Sequence, residues 1–287
     1  MASEPIVLDA APAEVAPARL RSGDPSRARA RRDRWLGLAS FAAMLAVWVA
    51  ITGSGMWPPL VNPTFLPSPV TVAKTFMRLA QSGYQGHTLA HHFFISLMRF
   101  GIAFVVCIAI GVPVGLLMGM HSGVRAVLDP PIETTRPIPK LALLPLFIIW
   151  FGIGELAKTI VIIAALFPMI SISAMQAVRA VSVRRIQAAQ SLGASRLTIF
   201  RRVLLPASLP GIFTGIRVSV GIGVTMLVGA EMVATSDGIA WMALTAADFV
   251  QTDIVLVGVL VMAALGYGLD QIFRLLERRL VHWAGRD

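Results

Sequence analysis

Six apolar runs alternate with polar segments along the chain, near 35–53, 98–120, 141–153, 159–178, 212–234 and 254–273. Most approach the roughly 20 residues that a helix needs to cross a hydrocarbon core. The third, "LALLPLFIIWFGI", has only 13 residues. It reads as a short span inside a bundle or as half of a re-entrant hairpin with the fourth. Pro113, Pro145 and Pro168 lie inside these runs, which suits membrane helices, because neighbours can satisfy the freed carbonyls. Residues 1–34, rich in Ala, Pro and Arg, have no apolar period and are expected to form a disordered arm. Residues 35–97 should hold the first span and an outer amphipathic segment, 98–280 the core with a polar interruption at 179–206, and 281–287 a tail. Within "LPSPVTVAKTFMRLAQSG", Val72, Phe76, Leu79 and Ala80 fall on one helical face, predicting a helix along the outer surface.

Composition fixes the solvent. Of 287 residues, 56% are hydrophobic and 14% charged, with a mean hydropathy of +0.75. Soluble domains carry close to twice that share of charge, so most of this chain faces lipid. The net charge of +10 would suggest nucleic acid on a soluble protein. Here the cations gather between apolar runs, which makes them a topology signal, and no nucleic-acid partner is expected. Seven arginines precede the first span, Arg125, Arg136 and Lys140 lie in 121–140, six arginines in 179–206 and four in 274–286. Against these twenty stand Lys74, Arg78, Arg99 and Lys158. Both termini and the 179–206 interruption are therefore expected in the cytoplasm. The arm is too long and charged for a cleavable leader, and an uncleaved first span is the expectation.

The chemistry of common enzyme classes is missing. The sequence contains no GxxxxGK[ST] and no "GK" pair, so it cannot build the phosphate cradle of a P-loop ATPase. It has no nucleophile elbow, and its single cysteine, Cys107, sits in an apolar run as a small packed hydrophobe. His87 and His91 have helical zinc-ligand spacing, but no Cys, Asp or Glu stands nearby in sequence, so no metal and no cofactor are expected. Asp129 and Glu133 precede Arg136, which predicts a structural ion pair, not acid–base catalysis. Ionisable residues in apolar segments usually face a bundle interior or a watery path. Arg217 and Glu231 lie 14 residues apart in the fifth run, about 21 Å of helix, so the midplane is expected to carry no charge. Energy for transport would then enter from elsewhere. Two small-residue stripes, Gly111, Gly115 and Gly119, then Gly211, Gly215, Ser219 and Gly223, predict close helix packing.

The interruption has a legible local code. "RRIQAAQSL" should be a short helix stopped by Gly193. Ser195 should cap a second helix, "SRLTIFRRVLLP", with Leu197, Phe200 and Leu204 on one face, and Pro206 and Pro210 should bend the chain back into the fifth run. Ala188, Ala189 and Ser191 add little membrane affinity but fit a protein cleft. With Gln187, Ala188, Ala189, Gly193, Val203, Leu205 and Pro206 at their spacings, the stretch resembles the EAA signature of ABC importer permeases. Gln187 stands where that signature has an acid, and Val203 where it has Ile.

The resemblance runs from about residue 65 to the end, through "LPSPVTV", "GVPVGLLMGM", "TGIRVSVGIG", "LVGAEMVAT" and "LERRLVHWAG", and is to permeases for taurine, alkanesulfonates and nitrate, with the taurine wording nearest. It implies an all-α membrane protein of about six transmembrane helices with the ABC importer type I (MetI-like) fold. It further implies a second copy of the chain, a dimer of ABC ATPase subunits, a periplasmic or surface solute-binding protein and a small sulfonate substrate in a bacterial inner membrane. The docking residues would be Gln187, Ala188, Ala189, Ser191, Leu192, Gly193, Ala194, Ser195, Arg196, Leu205 and Pro206. Candidates near the path are Arg217, Ser219, Thr225 and Glu231. The chain itself would have no catalytic residue. An aliphatic sulfonate or nitrate permease is the alternative within the group. An ion-coupled carrier would need a titratable midplane, and a membrane anchor would have no reason to carry the EAA wording.

Overall fold

A computed structural model describes residues 25–283 except 54, 56 and 234, so most of the expected arm, 1–24, and the tail's end, 284–287, lie outside the described residues. The elements are helices: α1 (Pro25–Thr52), α2 (Pro69–Ser82), α3 (Leu89–Met120), α4 (Ser122–Thr135), a 3-10 turn (Lys140–Leu143), α5 (Leu144–Phe151), α6 (Glu155–Arg179), α7 (Val183–Ser191), α8 (Arg196–Ile199), a π-helical turn (Phe200–Leu204), α9 (Leu205–Glu231), α10 (Ile239–Asp248) and α11 (Thr252–Leu280). Two compact units divide at residue 50. The first holds most of α1, whose helix begins at Pro25 within the basic arm and runs on into the first apolar run. The second holds everything that follows.

Among the described residues, five helices are long and apolar enough to cross a membrane: Trp35–Thr52 within α1, α3, α6, the continuous Arg196–Glu231 and α11. Within the second unit, α6 is the central post. Val161, Ile162, Leu166, Ile170 and Ala174 are fully or nearly fully buried, and both small-residue stripes close on it. A Cβ at Gly115 would come within 2.2 Å of the Ser171 carbonyl oxygen, and one at Gly119 within 2.6 Å of Val178. From the other side, a Cβ at Gly211 would meet Ala177 at 2.8 Å and one at Gly215 would meet Ser173 at 2.2 Å. Both stripes thus let α3 and α9 approach α6 at backbone distance. Cys107 is buried, with its Sγ 3.6 Å from the Ile163 carbonyl oxygen.

The short third run is the second of two short helices laid along α6. Ile132 in the last turn of α4 packs with Met118, Ile172 and Met175, beside the Arg179 end of α6. The connection Arg136–Lys140 then lies against Ala165, Pro168 and Met169 at the middle of α6. Leu141 reaches Gly229 near the end of α9, and α5 stops at Phe151, just before α6 begins. Together α4 and α5 carry the chain along α6 from one end to the other. This corrects two expectations. Arg136 and Lys140 lie in a connection beside the middle of α6 and not beyond its end, so charge stands level with the middle of that helix. The reason is compositional: "SGVRAVLDPPIETT" is too polar to read as a span, because α4 buries only Ile132.

α2 forms as expected, capped by the Ser68 side chain, which accepts from the Thr71 N–H. Its buried face is Val72, Thr75 and Leu79, while Phe76 and Ala80 are exposed. Thr75 turns inward because its hydroxyl donates to Asp253 of α11 at 2.6 Å.

Candidate functional site

The elbow between α6 and α9 is built locally as its sequence dictates. α7 ends in a turn in which Gly193 takes φ +77°, its N–H bonding the Gln190 carbonyl at 2.9 Å, while the Ala194 N–H reaches the Ala189 carbonyl at 3.1 Å. Glycine is suited to this left-handed stop. Ser195 caps the next helix, its Oγ accepting from the Thr198 N–H at 3.3 Å. α7 has no buried residue. Gln187 and Ala188 are exposed, and Leu192 is 87% exposed. Among the described residues, this short helix offers small side chains and an adjoining bare leucine to the outside and buries none of its own.

The second half of the elbow differs from expectation. Pro206 and Pro210 do not break the helix. Arg196–Glu231 is one continuous helix, and the irregularity is absorbed by the π turn, where the Leu205 N–H bonds the Phe200 carbonyl. One extra residue in a turn is a common adjustment beside a proline that cannot donate. Ile199 is buried, whereas Leu197 is exposed and Phe200 and Leu204 are half-buried. Pro210 also leaves the Pro206 carbonyl without its helical donor. The Trp283 indole N–H supplies it at 3.1 Å, so the C-terminal tail holds the root of the elbow.

At the opposite end, a buried ion network ties four elements together. Arg99 of α3 is 2% exposed and Glu231 of α9 is 0% exposed. Arg99 Nη1 donates to Glu231 Oε1 at 3.0 Å and to the Asp237 carbonyl at 2.9 Å. Its Nε and Nη2 grip Glu155, at the start of α6, at 2.5 and 2.8 Å, and Nη2 also meets the Asp237 carboxylate. Lys158 completes the cluster, 2.9 Å from Glu155. Glu231 further accepts from Ser96 Oγ at 2.7 Å and from the Ala240 N–H at 3.1 Å, which fixes the start of α10. Gly238, at φ +111°, must be glycine, since a Cβ would lie 2.5 Å from the Glu231 carboxyl carbon. His92 Nδ1 accepts from the Gly238 N–H at 3.2 Å, so its Nε2 carries the proton and faces the Tyr84 carbonyl at 3.4 Å. Burial pushes the Asp237 carboxyl up, but the hydrogen bond and charge of Arg99 outweigh this and hold it below its ordinary 3.8.

The four expected path residues have separate environments. Glu231 is in the network just described. Arg217 pairs with Asp270 and Glu277 of α11, each at 3.1 Å. Ser219 is buried and donates to the Gly215 carbonyl at 2.9 Å. Thr225 is exposed and donates to the Gly221 carbonyl at 3.0 Å. His87 and His91 stack at 4.4 Å, with His91 3.7 Å from Asp237. Among the described residues no group of three or more His, Cys, Asp or Glu side chains could hold a metal. Glu133 pairs with Arg136 at 3.0 Å, as its spacing predicts, and Asp129 takes no part in that pair. The Arg99 network was missed because its members are scattered from residue 96 to residue 240. The one available signal was the presence of charge at span edges.

Comparison with known proteins agrees with this architecture. Residues 111–282 match the family model described as "Binding-protein-dependent transport system inner membrane component". The chain is 41% identical over 255 residues to the "Taurine transport system permease protein TauC" of Escherichia coli (strain K12), covering 88% of this chain and 91% of the relative. It is 36% identical over 254 residues to the "Putative aliphatic sulfonates transport permease protein SsuC" of Bacillus subtilis (strain 168), covering 88% and 89%. Among solved structures, a chain of the inward-facing MetNI methionine ABC transporter superposes with a TM-score of 0.53 at 20% identity, covering 65% of this chain and 95% of that one. That last likeness concerns the fold alone. An exposed elbow helix, a clamped central post and a family match over the same residues lead to one conclusion: the chain belongs to the inner-membrane components of binding-protein-dependent transport systems, and is a permease subunit of an ABC importer, not its enzyme.

Proposed function

We propose that this permease imports taurine. The observation that carries this reading is the 41% identity to the E. coli taurine permease along nearly the whole of both chains. Two copies would enclose one path, with two ATPase subunits beneath and a solute-binding protein above. Both termini would face the cytoplasm: with Arg136 and Lys140 set aside, the basic residues still gather in the arm, at 179–206 and in the tail. The elbow from Gln187 to Arg196 would then lie on the ATPase side, its exposed α7 seated in a groove of that subunit. The glycine contacts of α3 and α9 with α6 would let the helices shift when the ATPase pair closes. Arg217, Ser219, Thr225 and Glu231 remain our candidates for residues near the path. An aliphatic sulfonate is the second reading, favoured by 36% identity to the B. subtilis relative. The test is uptake of labelled taurine, ethanesulfonate and nitrate in cells lacking and carrying the complete system. Taurine uptake that depends on this chain supports the proposal, and uptake of nitrate alone overturns it.

A further inference from the structure

The break between α4 and α5 has the makings of a solute site. Its sequence, "RPIP", places Pro137 and Pro139 in the connection, so two backbone donors are missing where the chain lies beside the middle of α6. Irregular backbone at such a depth is tolerated where it is buried in protein or lines a water-filled cavity, and in secondary transporters broken helices of this kind hold the cargo. Here the connection borders a cavity of about 680 Å³, within the roughly 300–1,000 Å³ usual for small-molecule sites. Glu133, Arg136 and Lys140 line one side, and Met169, Ile222 and Met226 the other.

The polar side is charged but lightly committed. Glu133 and Arg136 pair with each other at 3.0 Å, with 48% and 42% of their side chains exposed. Where the cavity holds water, a pair that exposed contributes little and opens at little cost. The Lys140 amine touches the Thr135 carbonyl, and its other two donors can serve a ligand. Two cations and one carboxylate beside an apolar wall complement a small molecule with an acid group at one end and an ammonium at the other. Such a molecule replaces the Glu133–Arg136 pair by two pairs of its own, so neither charge is left without a partner.

We infer that this break holds the translocated amino-sulfonate in transit, its sulfonate on Arg136 and Lys140 and its ammonium on Glu133, a site that rests on the taurine reading above. Glu133 then separates amino-sulfonates from plain alkanesulfonates, which lack the ammonium, whereas Arg136 serves both.

The test is saturation-transfer NMR of taurine and ethanesulfonate with the complete permease–ATPase complex in nanodiscs, without the solute-binding protein. Both ligands should bind the wild type. Glu133→Gln should weaken taurine at least fivefold and ethanesulfonate less than twofold, and Arg136→Gln should weaken both at least fivefold. Because Glu133→Gln is read as a ratio of two ligands on one preparation, a folding defect cannot imitate it. Absence of taurine binding in the wild type, or equal weakening of the two ligands by Glu133→Gln, overturns the inference. Taurine uptake by the same complex with its binding protein is measured alongside. Uptake without the NMR pattern overturns the site alone, whereas no uptake overturns the substrate reading and the site with it.

Discussion

Removing Arg99 should expose what the buried network contributes. Arg99→Met keeps the apolar bulk of the side chain but leaves three carboxylates without their shared cation. Two of them retain water, since the Glu155 and Asp237 side chains are 53% and 23% exposed. Glu231 has none, at 0%, so the loss concentrates there. Deleting one partner of a buried pair costs about 3–5 kcal/mol, and we expect Arg99→Met to lie in that range. Glu231→Gln is milder, because Arg99 keeps Glu155 and Asp237. It forfeits the charged bond from Arg99 and leaves the Ala240 N–H facing an amide that can turn only one oxygen to its neighbours, about 1.5–3 kcal/mol. The double variant leaves no stranded charge at position 231, so its loss should fall short of the sum by about 1–3 kcal/mol. Unfolding by SDS in mixed micelles, followed by tryptophan fluorescence with Trp241 beside His92 at 5.7 Å as reporter, measures all three. An Arg99→Met loss under about 1 kcal/mol, or a double variant equal to the sum, would refute the assignment of Arg99 as the counter-ion that makes Glu231 tolerable.

Three further outcomes follow from the geometry. Trp283→Phe removes the donor to the Pro206 carbonyl and should cost about 1 kcal/mol. Pro210→Ala supplies a helical N–H to the same carbonyl, so the double variant should lose less than Trp283→Phe alone in the same unfolding assay. Asp237 is held below 3.8, so its contribution is complete above about pH 4 and is lost as the pH falls through the lowered value. Unfolding measured from pH 5 to pH 3 should therefore be less pH-dependent in Asp237→Asn than in the wild type. Gly115→Ala must push α3 off the Ser171 carbonyl and should cost about 1–3 kcal/mol. Gly101→Ala, with nothing within 4 Å, should instead be neutral or stabilising by up to about 1 kcal/mol.

What could be read from the sequence was whatever depends on neighbours along the chain. Helix class, the long spans, the Gly193 stop, the Ser195 cap and the Glu133–Arg136 pair all follow from local spacing, and each is in place. The glycine stripes were legible as contact faces, though not that both meet α6. What was lost needs the third dimension. α4 is hidden because it buries only Ile132 and is otherwise polar or exposed, so Arg136 and Lys140 read as cations beyond the helix ends. α10, "IAWMALTAAD", gave no signal because its ten residues are too few for a span and its start is fixed by Glu231 and Ser96 from distant helices. The proline elbow was misjudged for a related reason. Proline predicts a missing donor, but only packing decides whether the helix breaks or inserts a π turn and borrows an indole N–H from the tail.

The most direct test of the account is taurine accumulation in proteoliposomes carrying this permease, its ATPase and its solute-binding protein, comparing wild type with Gly193→Pro, which distorts the α7 stop while leaving the spans untouched. Accumulation should require ATP on the elbow side, and Gly193→Pro should reduce uptake per ATP hydrolysed at least tenfold. Full coupling in Gly193→Pro, or accumulation driven by an ion gradient with no ATPase present, would contradict it.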